Sequence, residues 1–164
     1  MPYIETINPD AAEGELAKLY ARVGNPDGTV DEVMRVHSLS PGSLRVHFEL
    51  YVEVMHRRSP LSRAERELVA VVASRLNGCR YCLQHHLAGL KKLLPEDRHR
   101  VADAISVGRL ADLTQRESAL VTYATKLTTN PHDMSRDDVQ PLRDAGLEDR
   151  AILDLARRMR HGEA

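Results

Sequence analysis

The chemistry in this chain is concentrated in the stretch NGCRYCLQHH, residues 77–86. It holds both cysteines of a 164-residue chain, Cys79 and Cys82, followed by His85 and His86. C-x-x-C on a helix places two sulfurs one turn apart, close enough for a disulfide. One thiolate attacks, the other resolves, and a histidine one turn on can take the proton from the attacking thiol. Zinc is a second possibility: Cys79, Cys82 and His86 could supply three ligands, but a structural site requires a fourth. The remaining histidines (His37, His47, His56, His99, His132 and His161) show no ligand spacing to one another. The third possibility is two small buried thiols beside a hydrogen-bonded core histidine. Two thiols at this spacing, at a helix start and with an inward imidazole, weigh against it.

The local sequence sets how these side chains face. Asn77-Gly78 ends one helix, since glycine is the usual residue for a left-handed position after a helix. Cys79 then falls at or near the start of the next, where the helix dipole and unpaired backbone N–H groups stabilise a thiolate. Projected at helical spacing over residues 79–94, Cys79, Cys82, Leu83, His86, Leu87 and Leu90 share one arc of about 140° with Leu93 and Leu94. Arg80, Gln84 and Lys91 lie opposite. His85 points away from the arc, beside Tyr81 and Lys92, so the two adjacent histidines are not equivalent.

The preceding helix is expected over Ser62–Leu76, with a continuous apolar centre, Leu68–Ala73, that implies burial on most sides. Glu67 stands at the start of that run, beside Val71 and Ser74 on the wheel. From the helix alone it reads as a surface glutamate paired with Arg63, four residues earlier. The alternative is a partly buried carboxylate with a raised pKa, able to move a proton.

The rest of the chain reads as helices, with no sustained alternation of the kind strands show. Expected helices are Pro9–Arg22, capped by Asn8, then Val30–Ser38, Ser43–Arg57, Pro95–Val107 and Leu147–Arg160. Capping-box patterns occur at Ser62/Glu65, Thr114/Glu117 and Ser135/Asp138. The first two precede similar stretches, LSRAERELVAVVASRL and LTQRESALVTYATKL, a weak internal echo that reads as two well-capped amphipathic helices rather than a repeat.

The length fits one domain over residues 1–164, with 1–40 as an N-terminal arm. With no Trp, one Phe and five Tyr, the core must be mostly Leu, Val and Ala. A net charge of −1 gives no reason to expect nucleic acid or an anionic membrane as partner. The longest apolar run, LVAVVA, is far too short to span a bilayer. The N-terminal stretch has neither a basic region nor an apolar one, so a cytoplasmic location is the default expectation. In a reducing cytosol a C-x-x-C pair points to catalysis or metal binding rather than to a static bridge.

The spacing Glu67-x11-Cys79-x2-Cys82-x3-His86 resembles the signature of AhpD-type alkyl hydroperoxidases in the carboxymuconolactone decarboxylase superfamily. LSRAERELVAVVASRLNGCRYCLQHHLAGL is similar to that family's central two helices. ESALVTYATKLTTNPHDMSRDDVQPLRDAGLEDRAILDLA resembles the downstream half found in its peroxidase-related branch. The resemblance covers roughly residues 40–156. It implies an all-α, AhpD-like helical bundle with the C-x-x-C at the start of a central helix, assembled as a homo-oligomer, a trimer or hexamer. It implies a thiol peroxidase with no haem, metal or other cofactor. Cys82 would be oxidised to sulfenic acid by a hydroperoxide substrate, and Cys79 would resolve it into a Cys79–Cys82 disulfide. His86 would help deprotonate Cys82, and Glu67, on this resemblance, joins the proton relay instead of pairing with Arg63. An external dithiol, a lipoylated or thioredoxin-like protein, would reduce the disulfide.

This chain departs from the pattern in two places. The best-studied type has a histidine where Tyr81 stands, and a tyrosine hydroxyl is a poor base at neutral pH; Tyr81 and His85 are thus expected only around the site. Many relatives continue past the last helix into an apolar segment, whereas this sequence closes on RRMRHGEA, so assembly or closure of the site is expected to differ. Other readings are a general dithiol–disulfide oxidoreductase and, outside enzymology, a zinc-stabilised or structural helical oligomer module. A decarboxylase is disfavoured, because decarboxylase members generally lack the cysteine pair.

Overall fold

The computed structural model describes residues 3–110 and 112–161. Gly162–Ala164 of the closing stretch lie outside the described residues. The chain divides into two compact units, Met1–Glu53 and Val54–Ala164. Among the described residues there are helices and turns and no strand.

The first unit holds α1 (Gly14–Val23), α2 (Glu32–Arg35) and most of α3 (Pro41–Met55). Leu16, Leu19 and Tyr20 of α1 are buried with Val30, Met34 and Leu44. The Tyr20 hydroxyl donates to the Ile7 carbonyl at 2.8 Å. The helix expected over Pro9–Arg22 is interrupted. Pro9–Ala11 forms a 3-10 turn, Ala12 and Glu13 are extended, and Gly14 takes φ 56°, which a continuous right-handed helix cannot contain. Asn8 makes no side-chain cap there. The helix expected from Ser43 starts earlier, at Pro41, since proline lacks an N–H that the first turn leaves unpaired anyway.

The second unit carries α4 (Arg63–Leu76), α5 (Arg80–Leu93), α6 (His99–Ser106), α7 (Gln115–Thr129), α8 (Gln140–Asp144) and α9 (Asp149–His161). Helix α4 is its centre, packed against α5, α6, α7 and α9. That explains its all-round apolar composition: every residue from Leu68 to Ser74 is buried. The core around it is chiefly Leu, Val, Ala and Ile, as the composition required.

Both capping boxes at the starts of α4 and α7 form in full, with Ser62 and Thr114 accepting from the amides of Glu65 and Glu117. These helices are neighbours, and an ion pair between Arg116 and Glu65 joins their first turns. The internal echo therefore describes two adjacent core helices. The third box, at Ser135, closes only a 3-10 turn, Arg136–Asp138. The helix expected over Pro95–Val107 splits into a 3-10 turn, Glu96–Arg98, and α6. No helix among the described residues is long and apolar enough to cross a membrane.

Candidate active site

The end of α4 determines where the first sulfur sits. Gly78 takes φ 66°, and the two bonds of a Schellman ending are present: Cys79 N–H donates to the Ser74 carbonyl at 3.0 Å, and Gly78 N–H to the Arg75 carbonyl at 3.1 Å. Cys79 is thereby pinned to the last turn of α4 and becomes the N-cap of α5. The Cys82 amide donates to Cys79 Sγ at 3.3 Å, a fixed donor that favours negative charge on that sulfur. Cys79 and Cys82 are joined as a disulfide, with a Cα–Cα distance of 5.4 Å.

One turn beyond Cys82, His86 Nδ1 lies 2.8 Å from Glu67 Oε2. Glu67 projects from α4 and His86 from α5; their side chains are 15% and 13% exposed. The surface pair with Arg63 expected from the α4 wheel is thus replaced by a half-buried pair between helices. Glu67 is not the raised carboxylic acid that burial alone would make. Desolvation pushes its pKa up, but the His86 hydrogen bond and the charges of His86, Arg158 and His85 outweigh it and hold the group below the ordinary glutamate range. A carboxylate accepts only, so Nδ1 donates to Glu67, and Nε2 is the ring nitrogen turned away from the carboxylate.

Two residues that the sequence reading missed complete this arrangement. Gly89 lies one turn along α5 from His86, and a Cβ there would stand 3.2 Å from Glu67 Oε2 and 3.3 Å from its Cδ. The carboxylate occupies the space that the glycine leaves empty. Arg158 of α9 is 2% exposed, and its Nη2 lies 3.4 Å from His86 Nδ1 and 3.5 Å from Nε2. Its Nε donates to the Arg66 carbonyl at 3.3 Å. The sequence does carry a signal for each. Gly89 is a glycine inside a helix, three residues after His86. Arg158 falls on the apolar stripe of α9 with Ala151, Ile152, Leu155 and Met159, where an arginine needs a reason.

The rest of the α5 wheel holds with one correction. Leu90 is buried and Leu83, Leu87 and Leu94 pack against the core, but Leu93, expected inward, is 37% exposed as the helix ends. Tyr81 is 58% exposed, and its ring stacks on that of His85 with centroids 6.3 Å apart. His85 meets His86 edge-on at 5.6 Å. Among the described residues, no three His, Cys, Asp or Glu side chains gather as a metal-binding group.

Comparison with known proteins agrees with this reading of the fold. The family model described as "Carboxymuconolactone decarboxylase family" matches residues 41–126, just over half of the chain. No curated protein matches the sequence. Among solved structures, an uncharacterized peroxidase-related protein from Silicibacter sp. TM1040 is 26% identical, with a TM-score of 0.81 over 99% of this chain and 88% of that one. A peroxidase-related protein from Ralstonia eutropha JMP134, described as an alkylhydroperoxidase AhpD core, is also 26% identical, with a TM-score of 0.80 over 99% and 83%. The debrominase Bmp8 shares the fold at 13% identity, with a TM-score of 0.78 over 99% and 85%. With the family match and these two peroxidase-related neighbours in hand, the chain belongs to the carboxymuconolactone decarboxylase family, in its AhpD-like, peroxidase-related branch.

Proposed function

We propose that this protein is a thiol peroxidase that reduces organic hydroperoxides through Cys82 and Cys79. The observation that carries the reading is the Cys79–Cys82 disulfide at the start of α5, one turn from the His86–Glu67 pair. In the reduced enzyme, His86 takes the Cys82 proton on Nε2, and Glu67 stabilises the resulting imidazolium through Nδ1. The Cys82 thiolate attacks the distal oxygen of the hydroperoxide. The O–O bond breaks, Cys82 becomes a sulfenic acid, and the departing alkoxide takes the proton from His86 to leave as an alcohol. Cys79 then attacks the Cys82 sulfur, releasing water and forming the disulfide. An external dithiol supplies two electrons and two protons to restore both thiols. A lipoylated or thioredoxin-like protein suits that role, and a homo-oligomer is the expected assembly.

The test is dithiol-dependent consumption of cumene hydroperoxide by wild type, Cys82→Ser and Cys79→Ser. Cys82→Ser should abolish turnover, whereas Cys79→Ser should allow one oxidation to sulfenic acid. Activity that survives Cys82→Ser would remove Cys82 from the peroxidatic role. A second reading, a general dithiol–disulfide oxidoreductase, is favoured by the amide donor on Cys79 Sγ, which assists departure of the Cys79 thiolate when an external thiol attacks Cys82 in the Cys79–Cys82 disulfide. It requires a model disulfide to be reduced faster than either cumene hydroperoxide or hydrogen peroxide.

A further inference from the structure

We propose that Arg158 is the positioning residue of the Glu67–His86 pair: from α9, its guanidinium covers the imidazole face and keeps Nδ1 turned to the carboxylate. The inference rests on the redox reading above only for the use made of the ring.

Two nearly equal distances locate the guanidinium nitrogen. Arg158 Nη2 is 3.4 Å from Nδ1 and 3.5 Å from Nε2. A donor bonded in the ring plane to one nitrogen would stand well away from the other. The in-plane position at Nδ1 is also taken, because Nδ1 points to Glu67 Oε2 at 2.8 Å. Near-equality therefore places Nη2 over the ring face, the geometry in which a planar guanidinium stacks on an aromatic ring. The same side chain is anchored at its other end, where Nε donates to the carbonyl of Arg66, the residue before Glu67. One arginine thus ties α9 to the backbone of α4 beside the carboxylate and to the imidazole of α5.

Three contacts now fix the pair. Glu67 holds Nδ1, Arg158 covers the ring face, and Gly89 leaves space for the carboxylate. Arg158 also adds positive charge near Glu67, which contributes to keeping Glu67 ionised. The other titratable groups facing that carboxylate are His86 and His85 on α5, Arg66 on α4 and His56 after α3, with Arg63 beside the last two. Losing the Arg158 charge removes one of the positive charges that hold Glu67 ionised, so Glu67 should protonate at higher pH.

The test needs no peroxide. In the full-length Cys79→Ser protein, kept reduced, the rate of Cys82 alkylation by iodoacetamide is measured against pH for the Arg158 parent, Arg158→Lys, Arg158→Gln and Arg158→Met. Arg158→Met should move the acid limb up by about one pH unit and lower the plateau about tenfold. Arg158→Lys keeps the charge without the plane, so the limb should stay and only the plateau fall. Arg158→Gln keeps a donor for the Arg66 carbonyl and should behave like Arg158→Met. Proton–nitrogen NMR of the histidines gives a second readout: an Nδ1–H tautomer at His86 in the parent, lost in Arg158→Met. A folded Arg158→Met protein with an unchanged profile, or an Nε2–H tautomer in the parent, overturns the assignment. So does loss of the fold in both Arg158→Gln and Arg158→Met, which would make the residue structural. If the profile moves while wild type consumes no hydroperoxide, the peroxidase reading falls and this one stands.

Discussion

His86 Nδ1 and Glu67 Oε2 lie 2.8 Å apart although nineteen residues separate them in the chain. The contact joins α5 to α4 and fixes the orientation of an imidazole one turn beyond the C-x-x-C pair. Its ionisation is also a stability statement. The His86 hydrogen bond and nearby positive charge hold the folded pKa of Glu67 below the ordinary glutamate value, so the ionised form stabilises the fold above that ordinary value, and the contribution is lost as pH falls through the lowered folded value. Glu67→Gln should therefore reduce the melting temperature at neutral pH, with the gap to wild type closing under more acidic conditions. Thermal melts across pH measure it. The same substitution should slow Cys82 oxidation by about 10–100-fold, because it removes the negative charge that holds Nδ1 and leaves only a neutral amide beside the ring.

Gly89→Ala separates packing from chemistry. An alanine inside a helix gains up to about 1 kcal/mol over glycine. Here the new Cβ would meet the Glu67 carboxylate at 3.2 Å, so the carboxylate has to shift by tenths of an ångström. The expected outcome is a melting temperature equal to or above that of wild type with a reduced rate of hydroperoxide turnover. Equal turnover would show that the carboxylate position tolerates the shift.

Gly78→Ala tests the backbone ending that pins Cys79. Nothing lies within 4 Å of a Cβ at this position, so the cost comes from φ 66° alone. A penalty of about 1–2 kcal/mol for a side chain in the left-handed region lowers the melting temperature by a few degrees in a chain of this size. Gly78→Asn should lose less, because asparagine tolerates that conformation. Differential scanning calorimetry of the two variants gives the comparison.

Tyr81→His restores the histidine that the best-studied AhpD-type sequences carry between their cysteines. A tyrosine titrates near pH 10 and a histidine near 6.5, so only the latter can exchange protons at neutral pH. The position is exposed, and the variant should fold normally. Its kcat/KM for cumene hydroperoxide should rise between pH 6 and 8. An unchanged value would place residue 81 outside the proton path.

Much of this protein was legible in its residues. Local rules alone give the helical class, the capped starts of α4 and α7, the glycine break at Gly78 and the inward arc of Cys82, His86 and Leu90, since each depends on spacing within one helix. The same rules fail where a partner comes from elsewhere in the chain. The α4 wheel put Glu67 at the edge of an apolar arc and gave it Arg63, because within one helix no other cation was in reach. Only the crossing of α5 over α4 supplied His86, and with it the reason for a glycine at position 89. Arg158 is the extreme case, 72 residues from the ring it covers. Periodicity marks it as an arginine on an apolar stripe, but a stripe has no address. The packing of α9 against α4 gives it one, because a buried guanidinium must find its acceptor and its counter-charge in the tertiary structure.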